Sequence, residues 1–329
     1  MQPRLRVVIA VLAGLLGVAG CGADDSAEGV RDVTLALDFA PNAVQAPVFT
    51  ARRENLDLQR GIRLRIRQPG QGPDGVKLVA AGRAQLALLD IHDLALARAK
   101  GADIVAVGAL VGQPLAALIA QPGIVRPRNL EGRTVGVSGL PSDPAFLEAV
   151  MRADGGDVAK VRQVTIGFSA VQRLLTDRVS AVPAFWNVEG VAVRAKRPDV
   201  REFRVEEYGA PVYPELVLTV SRETLQDRPS LVRATVGALA RGYEEVLSDP
   251  ENGVSTLVEA VEGLDREQVQ RELDAVSPSF TAGARGFGEL DRRRLQAWAR
   301  WEQRFGITKR VPDVALAFDG RYVPKPGRD

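Results

Sequence analysis

One cysteine and one histidine in 329 residues set the first limits on this chain. With only Cys21, no disulfide forms within the chain. The count of His and Cys also leaves no cluster with metal-ligand spacing, so no metal site is expected. A Ser-His-Asp or Cys-His catalytic arrangement would have to use His92. Gly-x-Ser-x-Gly is absent, and no strand end carries Gly-x-Gly-x-x-Gly or a Walker loop. The 41 Asp and Glu residues offer many carboxylate pairs, but no spacing singles one out for acid-base work. The reading is therefore not an enzyme, with no catalytic residue and no cofactor. A net charge of +2, without a basic block interleaved with aromatics, excludes nucleic acid as a partner.

Long apolar runs are also missing, with one exception. Arg4 and Arg6 precede an uncharged run over 7–19, which ends Val18-Ala19-Gly20-Cys21. A basic start, an apolar middle and small residues before a cut site make a signal peptide, and the run is too short for a membrane span. The lone cysteine after small residues resembles a bacterial lipobox. That resemblance implies cleavage before Cys21 and lipid on its thiol and new amino group. A plain signal peptide with an incidental cysteine is the alternative. On the lipid reading, residues 1–20 are removed, and acyl chains hold the protein at the outer face of the cytoplasmic membrane. The mature body then has no thiol left for metal or nucleophilic chemistry. Residues 21–32 are small, polar and acidic, a tether, so folding should begin near Val33.

What remains is long enough for about two domains. Its 46% hydrophobic and 26% charged residues are ordinary for a globular protein. Val33, Leu35 and Leu37 alternate with Thr34, Ala36 and Asp38, a strand; Pro41 and Asn42 then turn the chain toward a helix opening near Pro47. Strands at 61–67, 86–89, 104–110 and 115–120 alternate with short helices near 75–81 and 94–100, a rhythm that predicts a mostly parallel sheet. After Pro122 a second strand-helix set begins, with strands at 133–137, 161–166 and 181–184. A strong strand follows at 216–220. Helices then dominate at 227–248, 250–261, 266–275 and 290–305, the last with an arginine-rich solvated face. Residues 321–329 read as a frayed end.

In an open α/β sheet, ligands bind outside the carboxyl ends of strands. The groups at those ends here are Asp38, Phe39 and Asn42; Asp90 and His92; Ser138 and Ser142; Phe168; and Trp186, Asn187 and Glu189, while Tyr213 and Glu215 lie just before a strong strand. Aromatic faces with carboxylates and amides suit a flat, hydrogen-bonding small molecule. Each also has a plainer reading. Phe39 and Trp186 fit a core, Asp38 a helix cap, Asn42 a turn and His92 a helix start. For Trp186, the polar neighbours Asn187 and Glu189 favour the cleft, because a buried polar cluster needs partners.

At this point the chain resembles the substrate-binding lipoproteins of bacterial ABC importers, in the branch shared by aliphatic sulfonate, nitrate and thiamine-pyrimidine-precursor binders. Leu37-Asp38-Phe39-Ala40-Pro41-Asn42 is similar to the branch's Leu-Asp-Trp-Thr-Pro-Asn. Phe185-Trp186-Asn187-Val188-Glu189-Gly190 resembles a Trp-Asn-Tyr-Glu-Gly segment of the pyrimidine binders, and Tyr213-Pro214-Glu215-Leu216 resembles their Tyr-Glu-Leu. Departures stand at Phe39, where the pyrimidine branch usually has Trp, and at Gln45, where it has His. The resemblance implies a two-lobe α/β fold of the periplasmic-binding-protein type II kind, with a hinge and an interlobe ligand cleft. Residues 33–121 and 220–329 would form lobe 1, and 122–219 lobe 2. It implies a monomeric solute receptor that serves an ABC permease and ATPase. Phe39 and Trp186 would stack on the ligand while Asp38, Asn42, Asn187 and Glu189 bond its edge. The favoured ligand is a thiamine-precursor pyrimidine or similar flat heterocycle; alternatives are an alkyl sulfonate, nitrate or a flavin-like molecule. A pyrimidine-synthesis enzyme on the same fold is a further alternative, weakened by the single His and Cys and by the export signal.

Overall fold

The computed structural model describes residues 29–69, 74–282 and 286–325. The signal peptide, Cys21 and most of the tether lie outside the described residues, as do residues 326–329. Ten strands run in chain order: β1 (Arg31–Ala36), β2 (Ile62–Arg67), β3 (Leu86–Asp90), β4 (Ile104–Val111), β5 (Ala116–Ala120), β6 (Thr134–Val137), β7 (Arg162–Thr165), β8 (Ala181–Phe185), β9 (Arg201–Arg204) and β10 (Leu216–Ser221). They form two five-stranded sheets, β2-β1-β3-β10-β4 and β7-β6-β8-β5-β9. The two sheets repeat one plan. Three parallel strands come first, and the fourth position is taken by a strand antiparallel to its neighbours, β10 in one sheet and β5 in the other.

Several sequence expectations shift here. The sheets are mixed rather than mostly parallel, because β10 and β5 arrive from the other sheet's side and pair antiparallel. The strand Ala116–Ala120, expected in the first lobe, belongs to the second sheet through its pairing with β8 and β9. The first crossing between sheets is therefore the segment 112–115, and the return lies just before β10. Arg31 and Asp32, expected in the tether, are paired in β1 opposite Ile62 and Arg63. Of the expected frayed end at 321–329, Tyr322 is buried, and just before it the Asp319 N–H donates to the Ala106 carbonyl at 2.8 Å.

Both faces of the first sheet are covered, which is why its inner strands read as continuous apolar runs. One face carries Val33, Leu35 and Leu88 against helices Ala46–Arg53, Pro229–Ser248, Pro250–Ala260 and Arg266–Phe280. Helix Ala46–Arg53 crosses Pro229–Ser248 closely: a Cβ on Gly242 would stand 2.2 Å from the Pro47 carbonyl oxygen. The other face carries Ala87 and Leu89 against helices Ile91–Ala99 and Arg292–Arg304. Helix Arg292–Arg304 starts on the Asp291 cap, whose Oδ1 accepts from the Arg293 and Arg294 N–H groups at 2.8 and 2.9 Å. Leu295, Trp298, Ala299, Trp301 and Glu302 make its buried stripe, at helical spacing. Its Trp301 stacks on Phe146 of the second sheet's helix Asp143–Ala153, with centroids 5.9 Å apart. This helix therefore joins both halves of the molecule. Among the described residues, no helix is long and apolar enough to cross a membrane.

Candidate functional site

A cavity of about 420 Å³ lies between the carboxyl ends of the two sheets' strands. Each wall is a strand end followed by a loop or a helix start. From the first sheet, the loop after β1 brings Asp38 and Phe39, and β3 delivers Asp90, with Asp93 three residues on. A capping box shapes the β1 loop: Asn42 Oδ1 accepts from the Val44 N–H at 3.0 Å, and Gln45 Oε1 accepts from the Asn42 N–H at 2.9 Å. The Gln45 amide then donates to Asp38 Oδ1 at 2.9 Å and fixes that carboxylate at the cavity. Asp90 caps helix Ile91–Ala99 by accepting from the His92 N–H at 2.7 Å. Asp93 follows on the same helical face, because residues three apart are neighbours there.

The second sheet supplies the opposite wall. Asp143 Oδ2 accepts from the Ser138 N–H at 2.6 Å, the Ser138 hydroxyl at 2.7 Å and the Gly139 N–H at 3.1 Å. Those bonds fold the loop that sets Ser138 and Ser142 at the cavity. Phe168 stands in the loop after β7 beside Gly167, whose φ of +57° is in the left-handed region. Its ring meets Phe39 across the gap with centroids 5.5 Å apart at 58°. After β8, Phe185 and Glu189 line the cavity, and the Phe185 N–H donates to Glu189 Oε2 at 3.2 Å.

Five carboxyl groups thus line one cavity, and burial pushes each above the usual carboxylate range. The shift is large at Asp90, where burial outweighs the attraction of His92, and Glu215 and Asp93 add repulsion. No Arg or Lys lines the cavity among the described residues.

Not every residue singled out in the sequence reaches the cavity. Asp38, Phe39, Asp90, Ser138, Ser142, Phe168 and Glu189 line it. Asn42 does not; it is the buried helix cap described above. Trp186 is 1% exposed and sits in the core, contrary to the stacking role expected of it. Its indole N–H donates to the Pro114 carbonyl at 3.1 Å, and the Arg204 guanidinium covers its ring at 4.0 Å. Trp186 therefore packs on the crossing segment. Asn187 is also buried outside the cavity wall, and neither of its amide atoms has a hydrogen-bond partner.

His92, Tyr213 and Glu215 are likewise withdrawn from the cavity into one buried network. His92 Nδ1 bonds Glu302 Oε1 on the Arg292–Arg304 helix, and His92 Nε2 lies 3.2 Å from the Tyr213 hydroxyl. Glu215 Oε2 accepts from the Leu115 and Ala116 N–H groups on the crossing segment. Burial opposes charge on the imidazole, but Glu302, Asp90 and Glu215 outweigh it and raise His92 to about 10. Asp90, His92 and Glu215 also place a donor atom each within 4.8 Å of one another, the one candidate cation cluster among the described residues. With His92 held as a cation by Glu302, it is better matched to an ion network than to a metal.

Residues 42–253 match the NMT1/THI5 like family. The chain belongs to that family. A formylaminopyrimidine-binding protein of Halalkalibacterium halodurans is 28% identical over 256 residues, covering 76% of this chain and 78% of the relative. A 4-amino-5-hydroxymethyl-2-methylpyrimidine phosphate synthase of Legionella pneumophila is 23% identical over 297 residues, covering 89% and 92%. Among solved structures, the periplasmic aliphatic sulphonate binding protein SsuA from Escherichia coli superposes with a TM-score of 0.72 at 13% identity, covering 91% of this chain and 95% of that one. That likeness is one of fold, the two-lobe α/β fold of periplasmic binding proteins. In this NMT1/THI5-like chain the cavity lies outside the carboxyl ends of strands of both sheets.

Sequence reasoning missed Asp93, Phe146 and Phe185 as wall residues. The signal for Asp93 was its helical spacing from Asp90. Phe185 is the last residue of β8, and its side chain alternates away from that of the adjacent, buried Trp186.

Proposed function

We propose that this protein is an extracytoplasmic solute-binding receptor of an ABC importer, whose ligand is a flat amino-heterocycle of the thiamine-pyrimidine-precursor kind. The carrying observation is the make-up of the cavity: aromatic rings and carboxylates from both sheets, with no Arg or Lys on the described wall. Phe39 and Phe168 offer faces for a ring. Asp38 and Glu189 offer acceptors for ring-edge N–H groups. An alkyl sulfonate or nitrate wants guanidinium, ammonium or amide donors, and five carboxylates repel it. The binding-protein relative from Halalkalibacterium halodurans supports the same ligand class.

The receptor role follows from the two-sheet plan. The crossings near 112–115 and before β10 act as a hinge, and ligand between the sheets favours the closed arrangement. Lipid on Cys21 keeps the monomer at the membrane, where it hands ligand to a permease driven by an ATPase. The synthase relative raises the enzyme reading. Against it stands His92, the sole histidine, sealed from the cavity by Glu302 and Tyr213.

The test is direct. A formylaminopyrimidine, an alkanesulfonate and riboflavin are each titrated into the protein, with melting temperature and small-angle scattering followed in parallel. Binding of the pyrimidine alone, with a raised melting temperature and a smaller radius of gyration, supports the reading. Tight binding of the sulfonate in its place overturns it.

A further inference from the structure

We propose that Asp143 is a specificity-determining residue: its side chain takes up the donors that a ligand's oxyanion would need, so the cavity accepts a heterocycle that carries no phosphate or sulfonate group. This rests on the reading of the cavity as a heterocycle site. β6 ends at Val137, and the loop that follows reaches the cavity wall with Ser138, Leu140, Ser142 and Asp143. Three donors of that loop converge on one atom. The N–H groups of Ser138 and Gly139 and the Ser138 hydroxyl all donate to Asp143 Oδ2, at 2.6, 3.1 and 2.7 Å. The Leu140 N–H donates to Ser138 Oγ at 3.2 Å, which turns the hydroxyl proton toward Asp143.

Successive backbone N–H groups aimed at one point, beside the first turn of the 11-residue helix Asp143–Ala153, are what a phosphate or sulfonate oxygen needs. Here that oxygen comes from the helix's own first residue. Asp143 is 5% exposed, so an incoming oxyanion reaches those donors only by turning the carboxyl out of its place. It would gain three hydrogen bonds by breaking three of the same kind, and the exchange yields no net binding. A neutral substituent such as a hydroxymethyl group makes no claim on those donors.

Charge is not what fills the cradle. Burial works against the ionised form of Asp143 while the three bonds favour it. In either form an oxygen is there to accept, and the oxygen of a primary amide would serve as well. Occupancy therefore predicts a different mutational pattern from simple repulsion.

The experiment titrates the full chain at pH 7, by calorimetry, with an aminopyrimidine bearing a hydroxymethyl group and with its phosphate ester. The wild type should bind the alcohol at least about a hundredfold tighter than the ester. Asp143→Asn keeps an accepting oxygen without charge and should hold that ratio within about threefold. Asp143→Ala uncovers the three donors and should narrow the ratio to below about tenfold. Thermal melts with inorganic phosphate or methanesulfonate alone give a reading that is independent of the heterocycle. Both anions should raise the melting temperature of Asp143→Ala more than that of wild type, with Asp143→Asn moving like wild type. Equal shifts in all three proteins overturn the proposal. If Asp143→Ala fails to fold, Asp143→Asn decides, because loss of the ratio in that variant assigns the selectivity to charge and overturns occupancy. Equal binding of alcohol and ester by wild type overturns it too, while the heterocycle receptor stands. If neither probe binds, the heterocycle reading falls and the anion melts decide on Asp143 alone.

Discussion

The ends of β3 and β8 are built alike and resolve their polar groups in opposite ways. Each puts one acid in the cavity, Asp90 or Glu189, and sends the neighbouring aromatic or histidine into the core. At β3, the withdrawn His92 finds Glu302 and Tyr213, so both ring nitrogens are engaged. At β8, the withdrawn Trp186 finds the Pro114 carbonyl, but Asn187 beside it finds nothing. The first end is a lock that ties a strand end to helix Arg292–Arg304. The second is less settled, and it lies against the crossing segment about which the sheets would move. Polar groups left unpaired in a core are costly unless another state uses them.

The largest effects that would break this comparison are on stability. Glu302→Gln strips the buried imidazolium of its main partner and should cost about 3–5 kcal/mol of unfolding free energy, read by denaturant titration. Trp186→Ala should cost a similar amount, about 3–5 kcal/mol, with ligand affinity nearly held. A Trp186→Ala protein that melts like wild type but no longer binds would return Trp186 to the cavity.

The β3 lock also predicts a pH dependence. The folded-state pKa of His92 is raised to about 10 from an ordinary value near 6.5. Its stabilisation is therefore complete below about 6.5 and is lost as pH rises through about 10. Melting temperatures of wild type and His92→Gln should converge between pH 7 and 10. Parallel curves over that range would mean that the histidine is neutral in the fold.

Smaller effects sharpen the β8 side. Glu189→Gln replaces the carboxyl acceptor on the cavity wall and should weaken binding of an aminopyrimidine about tenfold, measured by calorimetry, with little change in unfolding. Phe168→Ala is the mildest. The residue is 58% exposed, so stability should move by less than about 0.5 kcal/mol. Loss of one ring face should still weaken binding by about threefold to tenfold. An unchanged affinity would take the Phe39–Phe168 pair out of the site.

Much of the fold was legible because strand and helix periods are local. The strand from Val33, the alternating 62–67 segment and the amphipathic Arg-rich helix near the end all stand close to where their periodicity put them. The end of helix Arg266–Phe280 was not legible, for it runs past Pro278 with buried Ser279 and Phe280 holding it. Nor was the antiparallel placing of β5 and β10, since pairing across a sheet is chosen by partners far along the chain.

The sequence by itself determined which residues stand at the strand ends. Asp38, Phe39, Asp90, Ser138 and Glu189 reach the cavity because each follows an apolar run that stops at the sheet's edge, and Phe168 reaches it from the loop after the exposed edge strand β7. Only the tertiary structure decided which neighbours turn inward. Asn42, His92, Trp186, Asn187, Tyr213 and Glu215 share those strand ends and the same polar or aromatic character, yet all are buried. Their side was settled by groups that local pattern does not reveal: the Pro114 carbonyl for Trp186, and for His92 the carboxylate of Glu302, 210 residues further along. A polar side chain at a strand end goes where its hydrogen-bond partner is, and folding alone brings that partner near.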